Sequence, residues 1–147
     1  MRPLEIRPAR LSDADRLFPL VEQFATSYRP ERAAFQRNFP LLVTAEHADC
    51  LVAEVGDRIV GYAVAFRLVT LYANGIVTEL QELMVAPDQR RLGVGRRLVE
   101  AVCAGAQAVG AVEVTVPTRR AGVFYVKLGF EETAAYFKRR LHEDEAR

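Results

Sequence analysis

Tryptophan is absent from this sequence, and cysteine and histidine occur twice each. Cys50 and Cys103 stand far apart, as do His47 and His142, so no metal-ligand spacing exists and a zinc centre is not expected. The two cysteines read as reduced, buried thiols of an intracellular protein. Excess charge is missing too. Twenty Lys and Arg face nineteen Asp and Glu, a formal net charge of +1, whereas a nucleic-acid binder usually carries a basic surplus. No apolar run approaches membrane-spanning length. The opening stretch, Met1 to Leu17, has neither an apolar signal core nor the acid-free character of a transit peptide. These absences point to a soluble, cytoplasmic protein without metal or membrane partner, for which nucleic acid is an unlikely ligand.

What is present suffices for one ordinary domain. Half of the 147 residues are apolar, enough for a core without staples. Linkers, repeats and low-complexity segments are not seen, so residues 1–147 read as a single domain with 142–147 as a polar, flexible tail. Leu4, Ile6 and Pro8 suggest a first strand. Ser12, with Asp15 three residues on, resembles a capping box. The helix it would start carries Leu17, Leu20, Val21 and Phe24 on one face, and a second, weaker helix should end near Asn38 and Pro40. Cys50–Val55 and Ile59–Phe66 flank Gly56-Asp57-Arg58 as a hairpin. The loop Tyr72–Gly75 then leads to a fourth strand, Ile76–Val85, stopped by Pro87.

From Val94 the apolar spacing turns helical through Leu98, Val102 and Ala106 and should end near Gly110. Val112–Val116 reads as a buried strand. Thr118 would cap a short helix, Arg119–Leu128, closed by Gly129 as its left-handed residue. A last strand is expected over roughly Ala134–Leu141. Strand, loop, helix and strand make a βαβ unit whose strands are parallel if adjacent. The fold class is therefore mixed α/β, mostly antiparallel and distinct from a doubly wound sheet.

The most informative segment is Gln89-Arg90-Arg91-Leu92-Gly93-Val94-Gly95-Arg96-Arg97, between strand and helix. Two glycines one residue apart let the backbone turn and bring its N–H groups close to a ligand. Those groups lie at a helix N-terminus, where the dipole favours an anion. Four arginines crowd an end that ordinarily prefers Asp or Glu, an arrangement that becomes favourable once an anion docks. A Walker-type site would need Gly-Lys-Ser/Thr, and a dinucleotide site a third glycine; neither is there.

Here the chain resembles the GNAT superfamily of N-acetyltransferases. Arg90-Arg91-Leu92-Gly93-Val94-Gly95 matches that family's Arg/Gln-x-x-Gly-x-Gly/Ala signature, after a strand end Leu83-Met84-Val85-Ala86-Pro87. Ala121-Gly122-Val123-Phe124-Tyr125-Val126-Lys127-Leu128-Gly129-Phe130 is similar to a second segment, A-x-x-F-Y-x-x-L-G-F, in the family's order. Thr118 stands where many relatives carry a cofactor-contacting Asn. The resemblance implies acetyl-CoA, or another acyl-CoA, as donor, with helices on both faces of a sheet whose fourth and fifth strands splay around it. It implies that Leu83, Met84 and Val85 pair with the pantetheine amides. It also implies that the backbone from Arg91 through Leu92, Gly93, Val94 and Gly95 to Arg96 holds the pyrophosphate, with the Arg90 side chain in support. A homodimer through the last strand is a further implication.

Acyl transfer from a thioester to an amine poses two proton problems. An alkylammonium, with a pKa of about 10, must lose a proton before it attacks. The leaving thiolate departs more easily if protonated, and the tetrahedral intermediate needs an oxyanion donor, for which a fourth-strand N–H is the natural group. Tyr125 is the candidate acid, since the matching tyrosine in relatives lies against the CoA sulfur. Glu82 and Glu79 are the candidate bases, with a water chain as a third route. Strict alternation puts these two on opposite faces, Leu83 and Val85 on the side of Glu79, unless a bulge intervenes. The acceptor, taken as a small-molecule amine, should approach the Thr26–Arg32 segment, the Tyr72–Gly75 loop and the last strand. Glu22 and Glu31 add negative charge there, and Tyr28, Tyr72 and Tyr136 are candidate walls. A non-catalytic acyl-CoA-binding module and an acetyltransferase of protein N-termini are the alternatives.

Overall fold

Local sequence explains the strands directly. β1 (Leu4–Pro8), β2 (Ala48–Val55), β3 (Arg58–Val69), β4 (Ile76–Val85) and β5 (Glu113–Thr115) form one sheet in the order β1-β2-β3-β4-β5. The structure is a computed structural model and describes residues 2–142; of the tail expected at 142–147, all but His142 lies outside the described residues. The first four strands are antiparallel neighbours, and β5 joins β4 in parallel. Gly56, at φ 59°, turns β2 into β3. Asn74, at φ 62°, supplies the left-handed residue of the loop before β4, a conformation that Asn tolerates better than most side chains.

Four helices cover the two faces. α1 (Ala14–Phe24) and α2 (Arg32–Thr44) pack on one side around Leu17, Leu20, Phe39, Val52, Tyr62 and Met84. α3 (Val94–Ala108) and α4 (Gly122–Lys127) pack on the other, around Ala63, Leu80, Leu98, Val102 and Tyr125. Gly61 makes the second packing possible: a Cβ there would stand 3.0 Å from the Met84 carbonyl and 3.1 Å from the Leu98 side chain.

The first helix does not begin with the capping box expected at Ser12. Leu11–Asp13 is a turn of 3-10 helix, and the Asp13 carboxylate accepts the Arg10 N–H at 2.7 Å. The same carboxylate is gripped by the Arg7 guanidinium through two bonds of 2.8 Å. Arg16 and Glu54 complete this ion network. Asp13 is fully buried, and its bonds to Arg7 hold its pKa down to about 2. Ionic pairing outcompetes the weaker hydroxyl cap here.

Three further expectations are corrected. α2 runs through Pro40 to Thr44 instead of stopping near it. A proline inside a helix forfeits one backbone bond, and burial of Phe39 with Leu42 and Val43 against the core compensates. α4 starts at Gly122, later than Arg119, because the Thr118 hydroxyl accepts the Ala121 N–H at 3.1 Å and holds the chain in a turn. Gly129, at φ 93°, closes it as expected. Finally, Ala134–Leu141 is not a strand. The run Lys138-Arg139-Arg140 interrupts its apolar pattern, and Tyr136 and Phe137 do not enter the core. Both are exposed, as is Leu141, while Lys138 and Arg140 stand over the Tyr28 ring at 5.7 and 6.0 Å.

Candidate active site

β4 is the axis of the site. It has ten residues, but β5 pairs with it only at Val77, Thr78 and Glu79. Among the described residues, no strand pairs with the edge of β4 that faces away from β3 from Leu80 to Val85. The sheet thus opens beyond Glu79, and Leu83, Met84 and Val85 lie along that open edge, where the family resemblance implies an extended ligand.

The two candidate bases are brought together by a bulge. Val64 pairs with Glu82 and Ala65 with Leu80, so Gln81 is the extra residue on β4. Side chains opposite each other in a sheet share a face. Glu82 opposite Val64, and Glu79 opposite Phe66, therefore both lie on the α1/α2 face. Leu83 and Val85 pack on the other face, with α3, which corrects the placement on the Glu79 side that strict alternation gives. Glu82 accepts a hydrogen bond of 2.7 Å from the Tyr62 hydroxyl. Burial, the nearby Glu82 charge and that hydrogen bond raise the Tyr62 pKa, so the phenol stays protonated and acts as a fixed donor. Tyr62 was missed in the sequence, where it sits inside an apolar strand run. Only its register opposite Met84, next to Glu82, reveals it.

Beyond β4 the arginine loop starts α3. Gly93 has φ 85° and is the residue before the helix, and no side chain caps the first turn. The opening N–H groups of a helix have no partner within it, so those of Val94, Gly95 and Arg96 are available. A Cβ on Gly93 would meet nothing within 4 Å, so the approach to these donors is open. Gly95 serves packing as well: a Cβ there would come within 3.3 Å of Phe124 and 3.6 Å of Val85. Arg91 holds a left-handed φ of 66°, a costly conformation for a non-glycine residue that clusters at ligand clamps. Leu92 and Arg91 are exposed. Arg90 donates to the Val85 carbonyl at 3.2 Å, tying the loop to the end of β4. Arg96 pairs with Glu100 at 3.3 Å, and Arg97 donates to the Leu4 carbonyl at 3.1 Å. Arg58 grips Asp88 through two bonds of 2.7 Å, which holds the Asp88 carboxyl down at about 2 and fixes the loop's first turn.

Tyr125 lies in α4, buried, with Phe124 and Phe130 edge-on at 5.0 and 5.5 Å. Burial pushes its pKa up to about 12, so its phenol remains a proton donor at any physiological pH. Thr118 spends its hydroxyl on the Ala121 N–H, which gives it a local structural role.

On the α1/α2 face, a cavity of about 240 Å³ opens beside Glu82. Glu31 and Pro30 contribute to its lining, as does Tyr62, but the Tyr72–Gly75 loop does not. Tyr28, Tyr72 and Tyr136, expected as walls, are exposed residues outside this lining. Glu22 and Glu79 also stand outside it. Among the described residues, no group of three or more His, Cys, Asp and Glu side chains is placed to hold a metal ion. Nor is any helix long and apolar enough to cross a membrane.

A mixed sheet that opens along its fourth strand into an uncapped, arginine-rich helix start defines the architecture of an acyltransferase. The comparisons with known proteins agree. Residues 46–132 match the family model for the acetyltransferase (GNAT) domain. An uncharacterized N-acetyltransferase of Chlorobaculum tepidum is 31% identical over 142 residues, covering 95% of this chain and 83% of that protein. The chain belongs to the GNAT acetyltransferase family. Its fold is shared with the glucosamine-6-phosphate N-acetyltransferase of Arabidopsis thaliana, at a TM-score of 0.84 and 18% identity over 95% of this chain and 99% of that one. It is shared equally with an aminoglycoside N-acetyltransferase solved with CoA, at a TM-score of 0.81 and 21% identity over 97% of each chain.

Proposed function

We propose that this acetyltransferase moves an acetyl group from acetyl-CoA to the primary amine of a small molecule by direct attack. One observation carries the reading: β4–β5 pairing stops at Glu79 and Thr115, leaving an open β4 edge that runs into the uncapped start of α3. The residues present fit the donor. Leu83, Met84 and Val85 offer backbone groups to the pantetheine amides. The N–H groups from Arg91 to Arg96 receive the pyrophosphate, and Arg90 braces the loop against the Val85 carbonyl. Acetyl-CoA supplies the activated thioester; the protein supplies alignment and protons.

Tyr125, held protonated by burial, is the acid that protonates the departing thiolate. Glu82 is the favoured base, taking the ammonium proton directly or through water, and Tyr62 is a positioning residue that fixes its carboxylate. Glu79 shares the face and is the second candidate. A β4 backbone N–H is the oxyanion donor. The working place we assign is the cytoplasm. The assembly we assign is a homodimer through the C-terminal segment, supported by the exposure of Tyr136, Phe137 and Leu141.

A thiol-release assay over an amine panel tests this. Tyr125→Phe should lower kcat about 100-fold while acetyl-CoA binding is kept. Wild-type activity in that variant would remove Tyr125 as the acid. Glu82→Gln should lower kcat/KM about 100-fold, and the same loss from Glu79→Gln alone would reverse the choice of base.

A further inference from the structure

The cavity beside Glu82 carries information about the acceptor that the family assignment does not. Its walls come from both helices of the α1/α2 layer and from the sheet beneath: Leu17, Val21, Phe35, Phe39, Leu42 and Val64 are its apolar lining. Its polar side chains are few: Glu82, Tyr62, Asn38 and Glu31. Glu82, paired to Tyr62, stands on the β4 side, and Glu31, at the start of α2, is exposed to solvent. Among the described residues, no Lys, Arg or His contributes to the lining. Cys50 also lines it, but burial and the nearby Glu82 and Asp13 charges push its thiol up to about 12. It is an inert, space-filling group, not a nucleophile.

Three consequences follow for a ligand. An acceptor bearing phosphate or carboxylate meets carboxylates and no cation, so it is repelled. A polyhydroxylated sugar would lose hydrogen bonds to water against six apolar side chains, at a cost for each hydroxyl left unpaired. Size sets the third limit. A dry cavity of about 150 Å³ holds benzene, and this one measures about 240 Å³, room for a ring with a short chain.

Resting on the acetyltransferase reading above, we infer that the acceptor is a monoamine with an apolar body of aryl-alkyl or branched-alkyl type. Its ammonium sits at Glu82, next to the open edge of β4, and its hydrocarbon lies between α1 and α2. A polar substituent is tolerated on the α2 side, near Asn38 and Glu31. Tyr62 keeps the Glu82 carboxylate turned to the amine.

The test is a kinetic series with acetyl-CoA and thiol-release detection. Phenethylamine and isoamylamine are set against ethylamine, glucosamine 6-phosphate, kanamycin and a peptide with a free N-terminal alanine. Phenethylamine should exceed ethylamine in kcat/KM by at least about 100-fold, since each methylene in an apolar pocket is worth roughly tenfold or more. It should exceed the sugar amines and the peptide by as much. Ala34→Phe, which places a ring into the lining from α2, should raise the phenethylamine KM about tenfold or more and leave acetyl-CoA binding by calorimetry unchanged.

A flat alkyl series, or faster turnover of any sugar amine or of the peptide, overturns the inference while leaving the acetyltransferase intact. If acetyl-CoA does not bind at all, the parent reading fails instead. The acceptor class is then decided by calorimetry with phenethylamine alone: saturable binding lost in Ala34→Phe sustains it, and no binding ends it. Should Ala34→Phe fail to fold, the wild-type series by itself decides.

Discussion

Two groups of arginines in this molecule have opposite surroundings. Arg7 and Arg16 meet Asp13 and Glu54 at 2.8 to 3.1 Å, and Arg7 is 6% exposed. Their charges are spent within the fold. Arg90, Arg91, Arg96 and Arg97 are exposed at the start of α3; Arg90 and Arg97 are held by carbonyls and Arg96 by one i,i+4 carboxylate, and the Arg91 backbone is in a left-handed conformation. Where a guanidinium is buried and bidentate to a carboxylate, it is part of the scaffold. On the proposed reading, those that gather at the uncapped positive end of a helix receive an anion from outside. The same side chain would then mark structure in one place and ligand in the other, and the partner atoms distinguish the two settings.

Substitutions can break this contrast. The largest stability effect should come from the buried set: Asp13→Ala removes two of the bonds to buried Arg7, leaving it Glu54 alone as a carboxylate partner, and should cost about 3 kcal/mol in urea unfolding, with acetyl-CoA affinity unchanged. The Asp13 contribution also has a defined pH window. Its folded pKa is depressed to about 2, so its stabilisation is complete above the unfolded value of about 4 and lost as pH falls toward 2. An acid-unfolding curve of Asp13→Asn should lack that part of the slope.

The loop should behave in the reverse manner. Arg91→Ala should weaken acetyl-CoA binding about tenfold and leave the urea midpoint in place, a result that calorimetry and unfolding together would check. Raising salt should weaken the wild-type affinity for the donor and affect folding much less. Smallest is Gly93→Ala. At φ 85° an added Cβ costs about 1 kcal/mol in backbone strain, a few-fold in donor affinity if the loop deforms. Equal losses of stability from Arg91→Ala and Asp13→Ala would erase the distinction.

Much of the scaffold was readable because punctuation and alternation coincide. Gly56, Asn74, Pro87, Gly110 and Gly129 bound the elements, and β4 runs from Ile76 to Val85 as the pattern implies. The start of α3 was legible because the two glycines of the arginine loop precede a helical apolar spacing. The relation of Glu79 to Glu82 was not, since it depends on Gln81 being extruded from the ladder, a choice made by the pairing of Val64 and Ala65 on β3. Tyr62 was hidden for a similar reason: nothing local distinguishes it from its apolar neighbours until its hydroxyl is found 2.7 Å from Glu82. The final strand was misread because Ala134–Phe137 and Leu141 look like strand residues, while Lys138-Arg139-Arg140 between them breaks the alternation that a sheet register needs. The extent of α2 was misread because tertiary burial of Phe39 outweighs the local penalty of Pro40.

The most direct test of acetyl-CoA as the ligand of the arginine loop is a calorimetric titration of the purified protein, beside an Arg90→Glu/Arg91→Glu variant of equal thermal stability. Saturable, micromolar-range binding in the wild type, lost in the variant, is the predicted result. Absence of binding in the folded wild-type protein, or undiminished affinity in the charge-reversed variant, would contradict the assignment of this loop to the donor.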